Sequence, residues 1–161
     1  MSDFESGSPS VAFGAGWSVS TDEMAGGKST AQIAVVDGGA NGSRKALAIT
    51  GETSAAMAQA WAGAMFSPGQ QIFAPANLSS KQEIRFWAKG DGATYRVLLF
   101  AESSGYTPHM RPFVAGSDWR EYVFPFSAFG GTDGRDITAV LFVAGPQAGT
   151  FTLYIDDVRF R

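Results

Sequence analysis

The chain has 161 residues, with 12 Lys and Arg against 15 Asp and Glu, one histidine and no cysteine, for a formal charge of −3. Without cysteine there can be no thiolate zinc site, iron–sulfur cluster, disulfide framework or cysteine nucleophile; the slight acidic excess supplies no basic stripe for a nucleic-acid backbone. Apolar runs such as Ala139 to Gly145 fall far short of the roughly 20 residues of a membrane helix, so neither nucleic acid nor membrane is expected as a partner.

Short runs rich in Val, Ile, Phe, Tyr and Thr recur between clusters of Gly, Asn, Asp and Pro, with little helical periodicity, which is the pattern of an all-β chain. Strands are predicted near Phe4 and over Trp17 to Ser20, Ala31 to Val36, Ala46 to Gly51 and Met57 to Phe66. Further strands follow over Glu83 to Lys89, Thr94 to Glu102, His109 to Ala115, Trp119 to Phe124, Ile137 to Ala144 and Phe151 to Phe160. Within the fifth, Ala58, Ala60, Ala62 and Ala64 alternate with Met57, Gln59, Trp61 and Met65 at period two. Asp37 to Gly42, Gly90 to Gly92, Gly116 to Asp118, Gly130 to Gly134 and Gly145-Pro146 supply the turns. Short strands at such intervals predict two antiparallel sheets packed face to face, a β-sandwich of jelly-roll type filling residues 1–161 as one domain. The opening Met1 to Glu5 lacks the basic start and apolar core of a secretion signal, which suits either an internal protein or a mature module cut from a larger one.

In the last run the alternation Phe151, Leu153, Ile155 shifts to Val158 and Phe160, which places a β-bulge at Asp156-Asp157. Two carboxylates beside irregular backbone could coordinate a cation, joined by Asp3 and Glu5 if the chain ends meet; solvated acids at a strand end give the same pattern.

Sugar recognition needs flat aromatic faces with planar polar groups nearby. Trp87 lies opposite the apolar face Ile84, Phe86 and Ala88, flanked by Arg85 and Lys89, which suits a binding platform or a tryptophan packed under basic stems. Tyr106 to Phe113 form a second cluster, in which His109, Arg111 and Phe113 share one face of a short strand, and Gln59 with Trp61 a third, although the alanine and methionine neighbours of Trp61 also suit a core position. On adjacent strands these clusters would share one concave surface. Trp17, Trp119 and the phenylalanines of Phe124 to Phe129 are read as structural. Catalysis finds little support: there is one histidine and no nucleophile elbow or phosphate loop, leaving only a lyase-like set of Tyr106, His109 and Arg111 or a Glu102 and Glu121 pair.

The segment Gly16-Trp-Ser-Val-Ser-Thr-Asp-Glu-Met-Ala-Gly-Gly-Lys-Ser29 resembles the signature of the complex I intermediate-associated protein family, with Ala25 where that family usually has Met. Asp3-Phe4-Glu5 and Tyr154 to Val158 are similar to the ends of that family and of family 11 carbohydrate-binding modules, both of galactose-binding-like jelly-roll fold. The resemblance implies a structural calcium that clamps the termini, held by Glu5 with Asp3 beside it, by Asp156, and by a backbone carbonyl near Lys28. It also implies a non-catalytic, monomeric, extracellular or periplasmic module that binds a polysaccharide or oligosaccharide on behalf of a covalently attached enzyme. A protein-interaction module like the respiratory complex I assembly factor is the alternative.

Overall fold

A computed structural model describes residues 2–9, 11 and 13–161. Ten strands follow in chain order: β1 (Gly16–Thr21), β2 (Thr30–Asp37), β3 (Lys45–Thr53), β4 (Ala62–Ser67), β5 (Glu83–Gly90), β6 (Thr94–Ala101), β7 (His109–Val114), β8 (Arg120–Pro125), β9 (Ile137–Ala144) and β10 (Gly149–Phe160). They form two antiparallel five-stranded sheets, in the orders β1-β4-β9-β6-β7 and β2-β3-β10-β5-β8, packed as a jelly-roll sandwich.

Alternation along each strand fixes its faces. From the first sheet, Trp17, Phe66, Tyr95, Val97, Leu99, Phe113, Val140 and Phe142 enter the core; from the second come Leu47, Ile49, Ile84, Phe86, Phe151, Leu153 and Ile155. Phe86 meets Phe142 across the sandwich edge to face, with ring centroids 4.9 Å apart, a favoured aromatic geometry.

Two predicted strands change. The fifth begins only at Ala62, because residues 54–61 run as turns pinned to the 3₁₀ turn Asp22–Ala25, where Asp22 N–H donates to Trp61 O and Asp22 Oδ2 accepts from Trp61 N–H. Near Phe4 no strand forms: its φ of 55° breaks the extension, and only Ser2 pairs with β10, exchanging two backbone bonds with Val158. The bulge falls where the alternation places it, with the β10–β5 register shifting between Asp156 and Arg159 and Asp157 at φ 47°.

Candidate functional site

Two sheet faces point away from the core, and their chemistry differs. On the second sheet, β5 sends Arg85, Trp87 and Lys89 outward, as its alternation requires. The charges there are engaged with one another. Arg85 pairs with Glu83 and, at 3.4 Å, with Glu121; Arg159 pairs with Asp157; Lys89 Nζ lies 5.0 Å from the Trp119 ring and 5.2 Å from that of Tyr154. Trp87 is half-buried among these pairs, cross-strand from Glu121 and Asp156.

His109 and Arg111 do not join Trp87, because β5 and β7 belong to different sheets. They stand opposite Leu99 and Val97 and so turn toward the sandwich interior, at its open edge. Arg111 reaches across that edge to within 5.9 Å of the Phe124 ring centroid. Tyr106 is fully exposed before β7. The surface expected from Trp87, Arg85, His109 and Arg111 together is therefore not assembled. Glu102 and Glu121 lie in a turn after β6 and on β8 of the other sheet, so they make no catalytic pair through a shared strand or sheet.

The outer face of the first sheet is apolar and walled. Its register aligns Met110, Leu98, Leu141 and Met65 across four strands, ending at Ser18 on β1. Leu98, Leu141 and Met65 are only 6%, 4% and 5% exposed despite facing away from the core, and they pack with Ala139, Val143, Trp61 and Phe100. Beside Met65 runs a groove of about 520 Å³ lined by Ser18 to Thr21, Glu23, Met24, Ile72 and Phe73. Trp61 is half-buried at this face, its Nε1–H donating to Ser20 Oγ at 3.2 Å, with exposed Gln59 two residues away. Arg96 on β6 donates from Nη2 to the carbonyl of Ala60 at 3.2 Å, against the backbone before Trp61. Among the described residues three buried side-chain polar atoms lack a partner; two of them, Ser67 Oγ and Arg96 Nε, belong to outward-facing positions of this sheet, and the third is His109 Nε2.

Sequence reasoning passed over Arg96, Leu98 and Phe100. The signal was present in Val97-Leu-Leu-Phe100 and Val140-Leu-Phe-Val143: strands apolar at every position are covered on both faces.

The signature segment turns out to be a clamp. Asp22 is fully buried; it accepts from Ser29 N–H at 2.9 Å, Ser29 Oγ–H at 2.8 Å and Trp61 N–H at 3.3 Å, while Ser29 Oγ accepts from Ser54 N–H. Gly27 must lack a side chain, since a Cβ would come within 2.2 Å of Asp22 Oδ1. Trp17 is core, and its Nε1–H donates to Ser2 Oγ at 2.9 Å.

Of the four residues expected around calcium, Glu5 and Asp156 converge on the loop between β2 and β3. Glu5 Oε1 accepts from Ser43 Oγ–H, Arg44 N–H and Lys45 N–H, and Oε2 pairs with Arg44 Nε at 2.9 Å. These bonds hold its carboxyl at about 2, well below the ordinary 4.5. Asp156 accepts from Ala40 N–H and Asp157 N–H, and burial raises its pKa. Asp3 accepts from Glu5 N–H. Lys28 lies elsewhere: it adjoins Ser29, which contacts Ser54 beyond the far end of β3, on the order of 25 Å from Lys45 at about 3.3 Å per residue. As arranged, the carboxylates face hydrogen donors, and among the described residues no three His, Asp or Glu side chains form a metal-binding group. Hydrogen bonds tie the N-terminal segment to the β3 start, with Ser43 Oγ between the Glu5 and Asp156 carboxylates.

Residues 3–155 match the sequence profile of the Complex I intermediate-associated protein 30 family. The chain belongs to this family. Among curated proteins no match is found. The fold of this family member is shared by the family 11 carbohydrate-binding module of the cellulosomal cellulase Lic26A-Cel5E of Clostridium thermocellum, with a TM-score of 0.72, 17% identity and coverage of 99% of this chain and 91% of that one. It is shared too by a family 11 module from C. thermocellum in complex with a β-1,3-1,4-mixed-linked tetrasaccharide (TM-score 0.70, 17% identity, 99% and 92% covered). A third is a family 61 module, TmCBM61, in complex with β-1,4-galactotriose (TM-score 0.52, 19% identity, 99% and 93% covered).

Proposed function

We propose that this domain is a non-catalytic carbohydrate-binding module whose ligand lies at Trp61, on the rim of the covered outer face of the first sheet. The observation that carries it is Trp61: a half-buried indole, fixed by Ser20 and by Asp22 beneath its backbone, at the border of a covered apolar face. Such a ring stacks on the apolar side of a pyranose, and Ser20 at the indole and Arg96 at the carbonyl before it supply hydrogen-bonding groups. The shared fold with modules solved holding a tetrasaccharide and a galactotriose supports this assignment. The second sheet, where Arg85 and Arg159 already pair with carboxylates and Lys89 lies over aromatic rings, is the poorer candidate. Attachment to an enzyme, an extracellular or periplasmic location and a monomeric state belong to the same proposal.

Calorimetry following a glycan-array screen tests it. Trp61→Ala should weaken binding at least tenfold, about 1.4 kcal/mol, while Trp87→Ala changes it less than twofold. No binding across plant, algal and bacterial polysaccharides would overturn it.

One observation favours a protein partner. The groove runs along β1, an edge strand of its sheet, between exposed Met24, Ile72 and Phe73, and an unpaired edge accepts an extended peptide as an added strand. A complex recovered by pull-down, lost in Val19→Pro and retained in Trp61→Ala, would favour this role.

A further inference from the structure

Every cation of the chain falls into one of three groups except one. Arg44, Lys45, Arg85, Arg135 and Arg159 pair with carboxylates. Lys89, Arg111 and Arg120 sit over aromatic rings. Lys28, Lys81 and Arg161 are exposed to water. Arg96 alone is half-buried with neither carboxylate nor ring among the described residues, and its Nε is buried without a partner. The chain has more acids than bases, 15 against 12, so the missing counter-charge does not reflect a shortage of carboxylates. A guanidinium withdrawn from water without a counter-ion is unfavourable, and burial lowers the Arg96 pKa for the same reason. Its single described hydrogen bond goes to the carbonyl before Trp61, leaving most of its five N–H donors uncommitted.

We infer that Arg96 receives a carboxylate of the ligand, and that the sugar stacking on Trp61 belongs to an acidic, uronate-bearing polysaccharide. This rests on the carbohydrate-binding role proposed above. The geometry follows from the register. Arg96 faces outward between Pro112 and Val143, and the same row continues through Gly63 to Ser20, the hydroxyl that anchors the Trp61 indole. Arg96 Nη2 reaches across that row to the carbonyl of Ala60, the residue before Trp61, and no acidic side chain lies on the strands of this sheet. A planar carboxylate can take two parallel bonds from the guanidinium fork, and the bond is charge-assisted.

The test is calorimetry on the whole domain with polygalacturonate, its carboxyl-reduced neutral counterpart, mixed-linked β-glucan, dextran sulfate and polyglutamate, using the natural sequence, Arg96→Gln, Arg96→Lys and Trp61→Ala. Polygalacturonate should bind at least tenfold more tightly than its reduced form. Arg96→Gln should abolish that preference at an unchanged Tm, Arg96→Lys should keep part of it, and Trp61→Ala should weaken both polymers. Equal binding of polygalacturonate by Arg96→Gln would overturn the role of Arg96, while leaving the carbohydrate-binding role intact if Trp61→Ala still weakens neutral glycans. Binding of polyglutamate or dextran sulfate as tight as that of the uronate would also overturn it, in favour of a general anion patch. If no glycan binds, acidic or neutral, the carbohydrate-binding role fails and this inference with it.

Discussion

Replacing Asp22 by Ala removes the acceptor on which the signature segment closes. Three donors lose their partner, two of them buried and one part-buried: Ser29 N–H, Ser29 Oγ–H and Trp61 N–H. An orphaned buried donor costs about 1–3 kcal/mol. The Trp61 bond, at 3.3 Å, falls at the low end, and relief of the carboxylate's own desolvation offsets part of the sum. We expect a net loss of about 3–4 kcal/mol, a large share of the roughly 5–15 kcal/mol that holds a domain folded, and a fall in Tm of about 10 °C at roughly 2–4 °C per kcal/mol for a chain of this size. Urea unfolding should show a lower midpoint at unchanged slope. Asp22→Asn, which keeps one acceptor oxygen, should lose about half as much. Because Asp22 also holds the backbone of Trp61, Asp22→Asn should weaken glycan binding even at temperatures where it remains folded. A loss below about 1 kcal/mol for Asp22→Ala would refute the convergence of three bonds on one buried carboxylate.

Gly26 and Gly27 should respond differently to alanine. Gly26, at φ 90° with open space where a Cβ would stand, should lose about 1 kcal/mol, whereas Gly27→Ala drives a methyl into Asp22 and should lose about 3 kcal/mol; equal losses by urea denaturation would refute the clash. Glu5 has a folded pKa of about 2 against 4.5 when unperturbed, so its contribution is complete above pH 4.5 and disappears as the pH falls toward 2. The difference in urea midpoint between the natural sequence and Glu5→Gln should close over that interval, and a gap still open at pH 2 would contradict it. Exhaustive chelation should leave Tm unchanged, since the Glu5 oxygens already face nitrogen and hydroxyl donors; a fall of several degrees, reversed by calcium, would mean that a cation rearranges the loop between β2 and β3.

Nine of the eleven predicted strands form close to their predicted bounds, and the bulge at Asp156-Asp157 lies where the alternation breaks. These features are legible because a strand's period and a turn's preference for Gly, Asn or Asp are local properties of a few adjacent residues. The alternation around Trp61 misled for an equally physical reason: a buried carboxylate 39 residues away captures its backbone and holds residues 54–61 in turns. The expected calcium ligands part company on similar grounds, since nothing local in Lys28 or Glu5 reveals that they lie near opposite ends of β3.

The sequence by itself determined the sandwich class, the faces of the alternating strands such as β5 and β10, and the place of Trp17, Asp22, Gly27 and Ser29 in a common motif. Only the tertiary structure decided which outward faces share a sheet. Trp87 and His109 each carry a suggestive pattern on their own strand, yet strand order is set by pairing between distant segments, and that pairing sends them to different sheets. Arg96 shows the same limit more sharply. A cation without a counter-charge is a property of the completed fold, visible once every carboxylate and ring of the described chain has found its neighbours.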